Sequence, residues 1–110
     1  MSASGFKLLH TMMRVMDLDK SISFYTKFFN MKLIRKADYP GGKFTLAFLG
    51  YGSEESNTVL ELTHNWEQKD DYNKGNAWGH IAFGVKDIYN LCVSLESEGV
   101  EIIRKPGPMK

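Results

Sequence analysis

Apolar residues along this chain follow two rhythms in turn. The run LLHTMMRV (residues 8–15) is apolar over strand length, and Asp17-Leu18-Asp19 follows it as a helix-start signal. Leu18, Ile22, Tyr25 and Phe29 then recur at spacings of three and four. That pattern predicts a helix from about Asp19 to Phe29 with those side chains on one face, and Asn30 suits its C-terminal stop. Three extended runs follow, MKLIRKADY (31–39), KFTLAFLGY (43–51) and NTVLELTH (57–64). Pro40-Gly41-Gly42 separates the first two, and Gly52-Ser53-Glu54-Glu55-Ser56 the second pair. The first stretch therefore reads β-α-β-β-β. A polar linker over 65–77 leads to WGHIAFGV (78–85), then to Asp87-Ile88 and a helix ending about Glu98, then to VEIIRK (100–105). The second stretch begins as the first did.

The similarity is an internal repeat. His10 and His80 are seventy residues apart, as are Val15 and Val85, and Asp17 and Asp87, so H-x4-V-x-D followed by Leu or Ile occurs twice. With one residue removed from the second copy, Ile34-Arg35-Lys36 falls on Ile103-Arg104-Lys105. The first copy continues through two more strands that carry Glu61, whereas the second reaches Lys110 without them. The repeat spacing places a counterpart of Glu61 at about position 130. The expected fold class is α+β, built of paired β-α-β-β-β modules with the second incomplete at its C-terminus. The expected organisation is one domain over 1–110: module one at about 7–64, the linker, and a shortened module two at 78–110.

Composition narrows the partners. An apolar share of 43% and a charged share of 25% are ordinary for a soluble domain, and no apolar run approaches the roughly 20 residues that span a bilayer. Fourteen basic and thirteen acidic residues leave a net charge of +1 with no basic stripe, so neither nucleic acid nor membrane is an expected partner. Cys92 is the only cysteine and no signal peptide is visible, which points to a reducing, cytoplasmic setting.

Three residues suggest a metal. On the first strand His10 alternates with Met12 and Arg14, so the three share a face. Glu61 sits in the middle of VLELT, where an unpartnered buried carboxylate costs several kcal/mol, so it needs a cation. His80 opens the second repeat at the place equivalent to His10. Two imidazoles and one carboxylate suit Ni(II), Zn(II), Co(II) or Fe(II). The plain alternative is two core histidines bonded to backbone and a Glu61 paired with Lys or Arg. His64 follows no repeat and is expected to be an exposed strand-end residue.

The strings LLHTMMRVMDLDKSISFYTKFFNMKLIRKADYPGGKFTLAFLGYG, NTVLELTHNW and GHIAFGVKDIY resemble the short bacterial type of glyoxalase I (lactoylglutathione lyase), in the vicinal oxygen chelate superfamily. This resemblance implies an open barrel of paired modules and a homodimer whose active sites are shared between subunits. It implies isomerisation of the methylglyoxal–glutathione hemithioacetal to S-D-lactoylglutathione by metal-stabilised enediolate proton transfer. Of the family's four metal ligands, His10, Glu61 and His80 carry three, and the fourth, a Glu in a late D-P-D-G-Y-x-I-E-L motif, has no counterpart. The resemblance points to nickel, with zinc as the second candidate, and to Glu61 as the catalytic base remaining in this chain.

For glutathione, the motif matches at Arg14, four residues after the first ligand, and at Asn65, four after Glu61. His80, Met109 and Lys110 are further implied contacts, the last two at the glycyl end. Some relatives carry Arg four residues before the second His; here Asn76 stands there, with Lys74 nearby. Phe44, Leu46 and Phe48 alternate like the family's apolar pocket, a pattern core packing explains equally well. Other readings within the superfamily are an Fe(II) extradiol dioxygenase, a thiol transferase acting on an epoxide antibiotic, and a non-catalytic antibiotic-sequestering module. Arg14 and Asn65 favour glutathione over the first two, and the ligand set argues against the third.

Overall fold

The computed structural model describes residues 5–108 and divides into two units, one ending at Trp78 and one beginning at Gly79. The first unit contains β1 (His10–Arg14), α1 (Leu18–Phe29), β2 (Lys32–Tyr39), β3 (Phe44–Gly50) and β4 (Val59–Asn65). Every element of the expected β-α-β-β-β unit is present.

The four strands form one sheet in the order β1-β4-β3-β2, with β1 parallel to β4 and the other pairs antiparallel. A parallel neighbour requires a crossover, and α1 with β2 and β3 supplies it. Helix α1 begins where the sequence signals it: Asp17 is the N-cap, its side chain accepting the Lys20 backbone N–H at 3.0 Å. It ends at Asn30, whose φ of 55° is left-handed, a conformation that Asn tolerates better than most residues.

Register decides what each face carries. His10 lies beside Val59, Met12 beside Glu61 and Arg14 beside Thr63, while Phe48 lies beside Glu61 and Leu46 beside Thr63. These residues share one face, and on it Leu46, Phe48 and Val59 form a buried cluster joined by Ile34, Ala37 and Phe44. Residues 45, 47, 49, 60, 62 and 64 point the other way. There α1 packs, and Ala47, Leu49 and Leu62 are fully excluded from water. Each buried Leu contributes about 2 kcal/mol of hydrophobic stabilisation.

The second unit contains one helix, α2 (Ile88–Ser97), capped by Asp87, whose carboxylate accepts the Asn90 N–H at 3.1 Å. The expected helix is there; the expected strands over 78–85 and 100–105 are not, because neither segment is in a ladder. The first unit supplies the reason. Its β1 is held by β4 and its β2 by β3. In the repeat, 78–85 corresponds to β1 and 100–105 to β2, and among the described residues neither has a strand beside it. Among the described residues Leu95 is the unit's one buried hydrophobic, while Val93 and Ile103 are exposed.

Candidate active site

His10 and Glu61 meet across the β1–β4 pairing. Parallel neighbours put both side chains on the same face, and His10 Nε2 lies 3.0 Å from Glu61 Oε1. The carboxylate is only 13% exposed, against 40% for the imidazole, so Glu61 needs polar partners and has two. Thr63, two residues on and therefore on the same face, donates its hydroxyl to Glu61 Oε2 at 3.0 Å. One oxygen is thus oriented by a hydroxyl while the other faces the imidazole. A nitrogen and an oxygen donor converging on one point fit the N/O chemistry of a divalent metal. Among the described residues no group of three or more His, Cys, Asp or Glu is gathered closely enough to hold one.

A wall of packed groups stands beside His10. The Phe48 ring meets the imidazole at 76° with centroids 5.3 Å apart, and the Arg35 guanidinium lies over Phe48 at 4.4 Å. Arg35 is fixed by Glu54 through a two-pronged ion pair, Nε to Oε2 at 3.0 Å and an Nη to Oε1 at 3.1 Å. Those hydrogen bonds hold the Glu54 carboxyl below its ordinary range and push the Arg35 guanidinium up. Leu9, His10, Phe48, Val59, Arg35 and Glu54 line an open, largely apolar hollow of about 290 Å3.

The remaining sequence expectations divide. Arg14 projects on the Glu61 face from the end of β1, and Asn65 closes β4, its backbone N–H donating to the Tyr72 hydroxyl at 3.2 Å. His80 is exposed in the second unit. Met109 and Lys110 lie outside the described residues. His64 corrects an expectation: it is half-buried, inside β4, with Nδ1 3.1 Å from the Val15 carbonyl. Its position on the helix-bearing face excludes it from the His10–Glu61 pair. Thr63 and the Arg35–Glu54 pair were not anticipated. Period two would have found Thr63, but nothing local links residues 19 apart such as Arg35 and Glu54.

The model of the Glyoxalase/Bleomycin resistance protein/Dioxygenase superfamily matches residues 7–110. A probable lactoylglutathione lyase of Synechocystis is 58% identical over 103 residues, 94% of this chain and 78% of that protein. The lactoylglutathione lyase of Neisseria meningitidis is 54% identical, covering 94% of this chain and 75% of its own length. The chain belongs to the glyoxalase I family. Among solved structures, the trypanothione-dependent glyoxalase I of Leishmania major superposes with a TM-score of 0.87 at 48% identity, over 94% of this chain and 73% of that one. The resemblance read from the sequence is therefore borne out, as is the α+β class with an incomplete second module. Among the described residues the His10–Glu61 pair is the one close imidazole–carboxylate contact on its face of the sheet.

Proposed function

We propose that this chain is a lactoylglutathione lyase, isomerising the hemithioacetal of methylglyoxal and glutathione to S-D-lactoylglutathione. The observation that carries the reading is the His10–Glu61 contact at 3.0 Å, in a chain 54–58% identical to proteins of that name.

His10 and Glu61, with His80, are the residues that would hold a divalent ion, nickel first and zinc second. Such an ion would supply Lewis acidity toward the two vicinal oxygens of the substrate. The other roles belong to side chains. Glu61 takes the C1 proton as a general base and returns it at C2, so that the aldehyde-derived carbon ends as a thioester carbonyl and no external oxidant is consumed. The Thr63 hydroxyl holds one Glu61 oxygen and the His10 imidazole lies against the other, so the base is oriented from both sides. Arg14 offers a charge-assisted bond to a glutathione carboxylate and Asn65 an amide to the γ-glutamyl end. His80, Met109 and Lys110 complete the proposed substrate contacts, the last two at the glycyl end. A homodimer in which each site draws ligands from both subunits, working in the cytoplasm, completes the proposal.

The test gives metal-stripped protein glutathione, methylglyoxal and either Ni(II) or Zn(II), and follows thioester absorbance. Nickel-dependent turnover is expected, and a chain extended by the two further strands of the repeat is expected to turn over faster. Glu61→Gln should lower kcat by roughly a hundredfold to ten-thousandfold. Full turnover by Glu61→Gln, or no turnover by the extended chain with either metal, would remove the assignment.

A further inference from the structure

Strand β2 carries a bulge where it passes His10. Leu33 lies beside Leu49, but Arg35 lies beside Phe48, where unbroken pairing would set it beside Ala47. Ala47 belongs to the helix-bearing face, so the extra residue turns Arg35 to the face that carries His10 and Glu61. Ile34 joins the buried Leu46, Phe48 and Val59 cluster there, and the Arg35 guanidinium covers the Phe48 ring, 4.4 Å from its centroid. A bulge that re-aims a charged side chain onto an apolar cluster calls for a reason.

The reason lies in what holds His10. A ligating imidazole is ordinarily oriented by a hydrogen bond from its second nitrogen to a carboxylate or carbonyl. Here Nε2 faces Glu61, and among the described residues Nδ1 has no such acceptor. What packs on the ring instead is Phe48, at 76° with centroids 5.3 Å apart. An aromatic contact orients the imidazole only as well as the phenyl ring is itself held. Arg35 holds it, pinned in turn by its two bonds to Glu54. Lys7 donates to the backbone carbonyls of Glu54 and Glu55 at 3.2 and 2.7 Å, which ties that loop to the segment leading into β1.

We propose that Arg35 is a positioning residue for the proposed metal centre: aimed by the bulge and fixed by Glu54, it holds the Phe48 ring against His10 and so keeps the imidazole turned toward Glu61 for a shared divalent ion. This rests on the reading of His10 and Glu61 as metal ligands and adds to it the group that takes the place of a hydrogen bond at Nδ1.

Electrostatics and positioning predict opposite signs. Arg35→Met removes a positive charge near the site, which by Coulomb attraction alone tightens the binding of a dication, whereas a loosened imidazole weakens it. Calorimetric titration of the metal-free 110-residue chain with Ni(II) and with Zn(II) should show Arg35→Met binding about tenfold more weakly than the parent. Lys36→Met removes the same charge from the next residue of β2, whose ammonium pairs with Asp19 and which lies beside Ala47, and should leave the affinity unchanged. The second readout needs no metal. Nuclear Overhauser contacts between the His10 and Phe48 rings should be strong in the parent and in Lys36→Met and weakened in Arg35→Met, with the amide spectrum of β3 and β4 still that of the folded sheet. Glu54→Ala, which frees the guanidinium without removing it, should weaken the same ring contacts. Unchanged ring contacts in both variants, or metal binding by Arg35→Met as tight as the parent's, overturn the positioning role and leave the His10–Glu61 reading in place. A parent that binds neither ion overturns both.

Discussion

Glu54 is the residue whose ionisation the structure ties most firmly to a contact. The Arg35 hydrogen bonds lower its pKa from 4.5, against a smaller opposing effect of burial. A carboxylate whose folded pKa is depressed adds stability that is present above its unfolded pKa and is lost as pH falls through the folded value. The Arg35–Glu54 pair should therefore hold at neutral pH and open only in acid below 4.5. A carbonyl-carbon NMR titration should find the Glu54 midpoint under 4.5 and find it returned upward in Arg35→Met. A midpoint that ignores Arg35 would dissolve the wall beside His10. Steric limits are equally local. A methyl at Gly50 would stand 2.9 Å from Val59 Cγ1 and 3.1 Å from Ile34 Cδ1, both in or against the core, so Gly50→Ala should cost about 1–3 kcal/mol in denaturant unfolding. At this scale the sequence was informative wherever period two applies. It put His10, Met12 and Arg14 on one face and marked Glu61 as needing a partner, because alternation is a property of a single strand. It could not say that β1 lies beside β4, and so could not deliver the His10–Glu61 distance or His64's bond to Val15.

Elements were legible where a cap residue marks them. Asp17 and Asp87 stand at equivalent places in the repeat, and each accepts the backbone N–H three residues on, at 3.0 and 3.1 Å. Replacing either by Ala removes one satisfied helix donor, a change worth about 1 kcal/mol. Their consequences should differ. Helix α1 packs against β2, β3 and β4, so its cap is coupled to the sheet, and Asp17→Ala should lower the midpoint of cooperative unfolding by about 1 kcal/mol equivalent. Helix α2 buries only Leu95, so Asp87→Ala should instead speed amide exchange across 88–97 with little change in that midpoint. Equal shifts in the midpoint would mean that the two helices melt as one. Strand boundaries followed the apolar runs to within about two residues, the usual slack at element ends. Strand existence did not follow them everywhere, since WGHIAFGV is as strand-like in composition as LLHTMMRV. Composition specifies a willingness to pair, and pairing takes a second strand.

At the scale of the whole chain, the sheet order explains which half is stable. In β1-β4-β3-β2 the two inner strands are the last two of the module, so a β-α-β fragment retains only the outer pair, which do not touch each other. The second unit is such a fragment. Its side chains record the consequence: Val93 is 67% and Ile103 93% exposed, whereas Leu49 and Leu62 on the inner strands of the first unit are at 0%. Hydrogen exchange reads the same difference directly, because an amide in a doubly flanked ladder opens only with the global unfolding, while one without a ladder partner exchanges almost freely. Amides of 45–49 and 60–64 should be the slowest in the chain, and those of 79–85 and 100–105 among the fastest. Extending the chain through the two strands that the repeat calls for should slow the 79–85 and 100–105 amides by orders of magnitude while leaving β3 and β4 as they were. Slow exchange over 79–85 in the 110-residue chain would instead require a ladder partner from elsewhere. The proposed homodimer is the one source this chain could supply, so the same experiment repeated across a dilution series separates a partner strand, whose protection falls with concentration, from one formed within the chain.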